Sequence, residues 1–302
     1  MSLPLGELAA LATSLCWTAS AFAFEAATRR IGPLAMNFVR VSVALVMLSL
    51  VETVLRGTPL PTDASAAQLG WLALSGLAGL VFGDLCLFRA YVELGARRAM
   101  MVQATAPIFA ALLGWIFLGE APRPRAAAGT ALVLLGVFWA IRERTAGPAL
   151  AAAAHGAGRV GRGIVLALGG ALGQAGGLVL AKHGMRGYPP IAATQVRMMA
   201  GVLGFALVVT VASAWPRVRA AYAHRAAFSF TAVGALFGPV VGVSFSLAAV
   251  TYTQAGIASA LMATQQIWMA LASVLTGRER VGLGGLGGAV LAVAGIALLV
   301  AA

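Results

Sequence analysis

Residues 79–120 read GLVFGDLCLFRAYVELGARRAMMVQATAPIFAALLGWIFLGE, and residues 238–279 read GPVVGVSFSLAAVTYTQAGIASALMATQQIWMALASVLTGRE. The second line is a copy of the first. At a constant offset of 159 the match runs on to Trp139 and Leu298, with fifteen of sixty-one positions identical. Among them are Gly83/Gly242, Ala90/Ala249, Ala99/Ala258, Thr105/Thr264, Ile108/Ile267, Glu120/Glu279, Gly129/Gly288 and Gly136/Gly295. A chain rich in Ala, Gly, Leu and Val matches itself at roughly a tenth of positions by composition alone, so the glutamate pair weighs more than the alanines. Upstream, an offset of 157 aligns Arg29/Arg186, Pro33/Pro190, Val39/Val196 and Arg40/Arg197. Duplication covers nearly the whole chain.

The copied unit belongs in a bilayer. Of 302 residues 61% are hydrophobic and 10% charged, and the mean hydropathy is +0.93, so there are too few polar side chains to coat a soluble globule. About 20 apolar residues cross the roughly 30 Å hydrocarbon core as a helix. Ten such runs are predicted, at 5–25, 33–51, 68–89, 99–118, 125–141, 163–181, 190–211, 227–248, 255–276 and 282–301. Between them stand Gly32-Pro33, Pro59 to Pro61, Pro122 to Pro124, Tyr188-Pro189-Pro190 and Trp215-Pro216, residues that end helices. Ala19-Ser20-Ala21 offers the small residues of a signal-peptide cleavage site, but no basic region precedes the run, Glu7 does, and the run is the repeat partner of helix 6. It is expected to remain as a span. Cys16 and Cys86 lie inside spans and are expected to act as small packing residues.

The net charge of +12 does not point to nucleic acid, because the arginines border helices and no loop joins a basic cluster to aromatics. The expected fold is an all-α integral membrane protein of two five-helix repeats, residues 1–141 and 163–302, joined by an Ala/Gly-rich linker at 142–162. Five spans per repeat is an odd number, so the copies enter the membrane in opposite orientation. Inverted repeats of this kind place a substrate site near the midplane between them. Loops after odd-numbered helices hold fourteen Lys/Arg and those after even-numbered helices five. By the positive-inside rule the first set is cytoplasmic and both termini lie outside.

Gly83-Asp84, Leu94-Gly95-Ala96-Arg97-Arg98-Ala99, Ala106-Pro107, Leu118-Gly119-Glu120 and Gly129 to Gly136 resemble the EamA domain of the drug/metabolite transporter superfamily. Gly238-Pro239, Ser246 to Ala249, Ala255 to Leu261, Glu279-Arg280-Val281 and Gly288 to Gly295 resemble its second copy. The resemblance implies a ten-helix permease without an ATPase domain or cofactor, moving small metabolites across a bacterial-type cytoplasmic membrane, often outward. Two departures stand out. Gln266 occupies the position of Pro107, where the family usually has proline. The family is also drawn with both termini cytoplasmic, opposite to the charge count.

Glu120 and Glu279 follow helices 4 and 9 and are expected to cap the helix that comes next, where free N–H groups favour a carboxylate. Asp84 is the acidic residue deepest inside a span. It is the proton-coupling candidate, or it binds a cationic substrate group, or it pairs with Arg40 or Arg197. Lipid cannot satisfy a glutamine amide, so Gln103, Gln174, Gln265 and Gln266 must meet another helix or a cavity. With Trp17 (the repeat partner of Gln174), Phe88, Thr105, Pro107 and Thr264 they are the cavity-lining candidates, each equally open to a plain packing or interhelical hydrogen-bonding role. Glu25 and Lys182 share a repeat position with opposite charge and are expected at the interface.

Stripes at Gly169, Gly173, Gly177 and at Gly234, Gly238, Gly242 allow close helix approach, and Gly129, Gly136, Gly288 and Gly295 are expected to join helices 5 and 10. Pro107 is expected to kink helix 4. The expected function is a secondary transporter, with a small-molecule substrate, the bilayer and a coupling proton as partners. A membrane enzyme is the rival, but His155, His183 and His224 lie in different connections and Asp84 has no acidic neighbour one turn away, so neither a metal site nor paired acids are expected.

Overall fold

The computed structural model describes residues 4–94, 96–121, 123–143, 157–275 and 283–300, and these are helical apart from their connections. Helix α1 spans Leu5–Ile31 and α2 Pro33–Arg56. Helix α3, Ala66–Gly76, runs through a π-helical segment, Leu77–Gly83, into α4, Asp84–Leu94. Then come α5 Ala96–Gln103, α6 Ala106–Leu118 and α7 Pro124–Glu143. The second half holds α8 Ala157–Met185, α9 Pro190–Val211 and the short α10 Trp215–Ala223. Helix α11, Arg225–Ala235, continues through a second π segment, Leu236–Gly242, into α12, Val243–Tyr252. Last are α13 Ala255–Met262, α14 Gln265–Leu275 and α15 Leu283–Val300. Among the described residues six continuous helices are long and apolar enough to cross a membrane, and three apolar helices are shorter. The chain is a multi-pass membrane protein built from two copies of one helical unit.

Local irregularities repeat with the sequence. Leu77–Gly83 and Leu236–Gly242 are both π-helical and differ by the repeat offset of 159. In the second copy Pro239 lacks the N–H an α-helix would use, and the wider π turn absorbs the misfit. The first copy has Leu80 there and keeps the turn, with Gly79 and Gly83 seated on Gly177 and Gly173 of α8. A Cβ on Gly173 would lie 2.8 Å from the Gly83 Cα, so these backbones touch.

The predicted spans 99–118 and 255–276 are each broken, at Ala104–Thr105 between α5 and α6 and at Ala263–Thr264 between α13 and α14. The first break stands beside Pro107, where a kink is expected, but the second copy breaks at the same register with Gln266 in the proline's place. Both sites use threonine instead. Thr105 and Thr264 each turn the hydroxyl back onto the carbonyl three residues earlier, Val102 and Leu261, at 2.6 Å. Their own N–H groups reach the same carbonyls at 3.0 and 3.2 Å, a tight turn that interrupts the α-helical ladder.

The copies pack by exchange. Helix α1 lies along α11, the second π segment and α12, and its counterpart α8 lies along α3, the first π segment and α4. Helix α2 meets its own counterpart α9, and α7 meets α15. In that last pair a Cβ on Gly136 would sit 2.5 Å from the Gly288 carbonyl, and one on Gly295 would sit 2.8 Å from the Gly129 carbonyl. The four glycines join helices 5 and 10 as expected. Outward, Val46, Leu50 and Val54 of α2 form an exposed stripe repeated by Leu203, Leu207 and Val211 of α9. Inward sit Thr13, Ser14, Thr18, Ser75, Thr194, Gln195 and Arg197, all buried. Apolar outside and polar inside is the arrangement a lipid solvent selects.

Candidate functional site

The halves enclose a cavity of about 610 Å³. Its lining comes from the C-terminal half of α1, the start of α2, the first π segment with α4, the α5/α6 break, the middles of α8 and α9, the second π segment with α12, and the α13/α14 break. Both π segments and both helix breaks face this space. That placement is physically required, since non-helical backbone at membrane depth is tolerated only inside protein or beside a wet cavity.

Trp17, Asp84, Phe88, Gln103, Pro107, Gln174, Gln265 and Gln266 line it. Gln103 Nε2 donates to Gln174 Oε1 at 2.5 Å, joining α5 and α8 across its wall, while Gln103 Oε1 is buried without a partner. The Gln265 amide donates to the Trp17 carbonyl at 3.3 Å. Thr105 and Thr264 stand outside the lining. Thr105 serves the break alone, whereas Thr264 is fully buried and also reaches Ser14 Oγ at 3.2 Å. The indole N–H of Trp268 donates to the same Ser14 hydroxyl at 3.0 Å. Together these bonds tie α1 to the α13/α14 break.

Of the two arginines weighed as partners for Asp84, the structure uses Arg40, whose Nη2 donates to Asp84 Oδ2. Its guanidinium lies 5.4 Å from the centre of the Phe24 ring, also a cavity residue. Arg197, the repeat counterpart of Arg40, lines the cavity too but stands against Gly76 and Gly79. Among the described residues it has neither ion pair nor hydrogen bond, and its Nε is buried and unsatisfied. The position matching Asp84 is Val243, so the second copy has no carboxylate there. Sequence reasoning weighed Arg197 only as a partner for Asp84. The signal that could have singled it out was the pairing of Asp84 with Val243 at the 159 offset.

One end of the cavity is open and the other is shut. The mouth carries Thr28 and the exposed pair Glu25–Arg29, 2.5 Å apart, at the end of α1. Arg29 belongs to the basic-rich set of loops. At the opposite end Lys182 Nζ lies 2.5 Å from Glu120 Oε1 and donates to the Thr253 carbonyl at 2.6 Å. Glu120 Oε2 accepts the N–H of Ala255 at 2.8 Å, and the Gln254 amide reaches the Ala121 carbonyl at 3.3 Å. Glu120 is thus a helix cap, but not of the helix that follows it. It caps α13 of the other copy, and Lys182 is its counter-ion. Glu279 lies outside the described residues.

A second cluster closes the same end. Arg56 Nη2 donates to Asp63, the Tyr188 hydroxyl donates to Asp63 Oδ1 at 3.0 Å, and Gln195 Nε2 bonds Ser49 Oγ and the Pro59 carbonyl at 2.9 and 2.7 Å. The Arg56 guanidinium holds the Asp63 carboxyl below the usual carboxylate range; desolvation opposes it less strongly, and the Tyr188 hydroxyl adds a smaller lowering.

Residues 4–142 and 161–301 each match the EamA-like transporter family. No curated protein matches the chain. A crystal structure of another protein, 18% identical in sequence, superposes with a TM-score of 0.73 over 99% of this chain and 98% of its own, a likeness of fold. Two family matches, one on each copy and together spanning almost every residue, leave a single assignment: this chain belongs to the EamA-like transporter family.

Proposed function

We propose that the protein is a secondary transporter of a small metabolite, an exporter in the cytoplasmic membrane of a bacterium, working by alternating access between two inverted five-helix repeats. Ten spans follow if α5 with α6, α13 with α14, α7 and α15 each cross the bilayer beside the six long helices. The observation that carries the reading is the cavity between the copies, open at the α1/α2 end and shut at the Lys182–Glu120 end. In an inverted repeat the two ends are built from equivalent residues, and exchanging the conformations of the copies would exchange the open and shut ends.

The exchange is not symmetric in chemistry. Glu25 occupies the repeat position of Lys182, so the open end has no lysine to hold a glutamate as the shut end does. A weaker lock there favours the open form in the absence of substrate. By the positive-inside rule the open end, rich in arginine, faces the cytoplasm, where an exporter loads.

Asp84 remains the proton candidate. The titratable groups facing it in the cavity are Glu25, Arg29, Arg40, Tyr91 and Arg197. A proton on Asp84 would dissolve its ion pair and free Arg40, changing the charge of the cavity by one.

The reading is tested by reconstituting the full chain in proteoliposomes and measuring counterflow of compounds that raise its thermal stability, with and without a pH gradient. Carrier-type counterflow is expected. Ligands that bind but never cross would refute it, and gradient dependence that survives Asp84→Asn would remove Asp84 from coupling.

A further inference from the structure

We propose that the cavity binds the anionic group of its substrate, and that Arg197 is the residue that receives it; the inference rests on the reading of this cavity as the substrate site.

The charges in the cavity can be sorted into pairs. Glu25 has Arg29, and Asp84 has Arg40. Arg197 is left over. It is 5% exposed, its side chain lines the cavity, and it meets no carboxylate, carbonyl or hydroxyl among the described residues. A charged guanidinium at this depth is retained only where something compensates it, because desolvation without a partner is severely unfavourable. Gly79, whose ideal Cβ would lie 3.3 Å from Arg197 Nη2, keeps space open beside the guanidinium. The protein has therefore made room for the cation and supplied no counter-ion. A planar guanidinium with free donors is the group best shaped to take a carboxylate or phosphate oxygen pair.

The repeat supplies an internal control. Arg40 and Arg197 are copies of one ancestral position, each the eighth residue of a helix that begins with proline. The first copy neutralises its arginine with Asp84. The second has Val243 at that place, also on the cavity wall. Where the first copy has a structural ion pair, the second, without the carboxylate, has a vacant anion site.

The rest of the lining describes the body of the ligand. Met36, Met100, Met198, Met262 and Met269 surround the space with flexible, polarisable thioethers, and Phe24 and Phe88 add rings. The expected substrate is a small organic anion with an apolar or aromatic body.

The test uses three probes of one shape, 3-phenylpropanoate, 3-phenylpropanamide and 3-phenylpropylamine, with binding to the purified full-length protein read from its intrinsic tryptophan fluorescence. The carboxylate is expected to bind at least tenfold more tightly than the amide or the amine. Val243→Asp, which rebuilds the ion pair of the other copy, should weaken the carboxylate at least tenfold while leaving the thermal midpoint unchanged or higher. Arg197→Lys should retain the preference for the anion, and Arg197→Gln should lose it. Equal or tighter binding of the amide or amine, no binding by any of the three, or a Val243→Asp protein that binds the carboxylate as before would each overturn the proposal. Failure of transport is separable: a carboxylate that binds at Arg197 but shows no counterflow refutes the transporter and leaves the anion site, whereas counterflow of the amine alone does the reverse.

Discussion

Lys182 of the second copy holds Glu120 of the first at 2.5 Å, and the same carboxylate caps α13 of the second copy through Ala255 N–H at 2.8 Å. One side chain thus clasps two elements of the opposite repeat. Neither partner is more than about a fifth exposed, so the pair is well shielded from water without being dry.

Breaking this clasp should open the shut end. Removing one member of a shielded pair strands the other, a destabilisation of about 3–5 kcal/mol when fully buried and less at this partial exposure. Since 1.4 kcal/mol is about a tenfold population change, Lys182→Gln should raise labelling of a cysteine placed at Thr253 by a membrane-impermeant thiol reagent about tenfold or more. Unchanged labelling would mean the clasp does not hold the end shut.

The α7/α15 seam depends on absent side chains. Gly136→Ala drives a methyl against the Gly288 carbonyl and should lower stability in detergent by about 1–3 kcal/mol. Gly161→Ala, with nothing within 4 Å and a helical backbone, should be neutral or slightly stabilising. Thermal unfolding of the two variants compares them directly. Equal behaviour would show that the seam can relax.

Pro107 should be dispensable. The second copy breaks at the same register with Gln266, by threonine back-bonding, so Pro107→Ala should leave counterflow within about twofold of wild type. Thr105→Val should do more harm, since it removes the hydroxyl that caps Val102. Transport by the two variants in the same vesicles decides the order.

The Asp63 cluster gives a pH dependence. Its native carboxyl titrates lower than in the unfolded chain, so the folded state binds fewer protons; the stability it adds is complete above the unfolded value and is lost as pH falls through the folded one. Asp63→Asn should therefore lower the thermal midpoint at neutral pH. The gap to wild type should narrow below about pH 4. A gap that widens in acid would contradict the assignment.

Much of this architecture is legible from residues alone, and the reasons are physical. Apolar runs and a fixed repeat offset gave the helices, the glycine seam and eight of the cavity residues, because lipid forces glutamines and ionisable groups inward. Distances were not legible. Glu120 reads as the cap of its neighbour in sequence because a one-dimensional reading places a cap on the nearest helix, whereas the crossing of the copies brings Ala255 closer. Thr264 reads as a cavity residue because any mid-membrane hydroxyl can be one, yet Ser14 on α1 satisfies it. Arg197 stayed inconspicuous because what marks it is a missing partner, and only the structure shows which arginine Asp84 chose.

The central claim is that one cavity is reached from both membrane faces in turn. Ser259, partly exposed on its wall, is the position to probe: Ser259→Cys, in a chain whose Cys16 and Cys86 are replaced by serine, is treated with a membrane-impermeant thiol reagent in sealed vesicles of both orientations. Alternating access predicts labelling from either face, faster from the end bearing Arg29, with Lys182→Gln shifting the ratio toward the other. Labelling from one face alone, unmoved by Lys182→Gln, would contradict it.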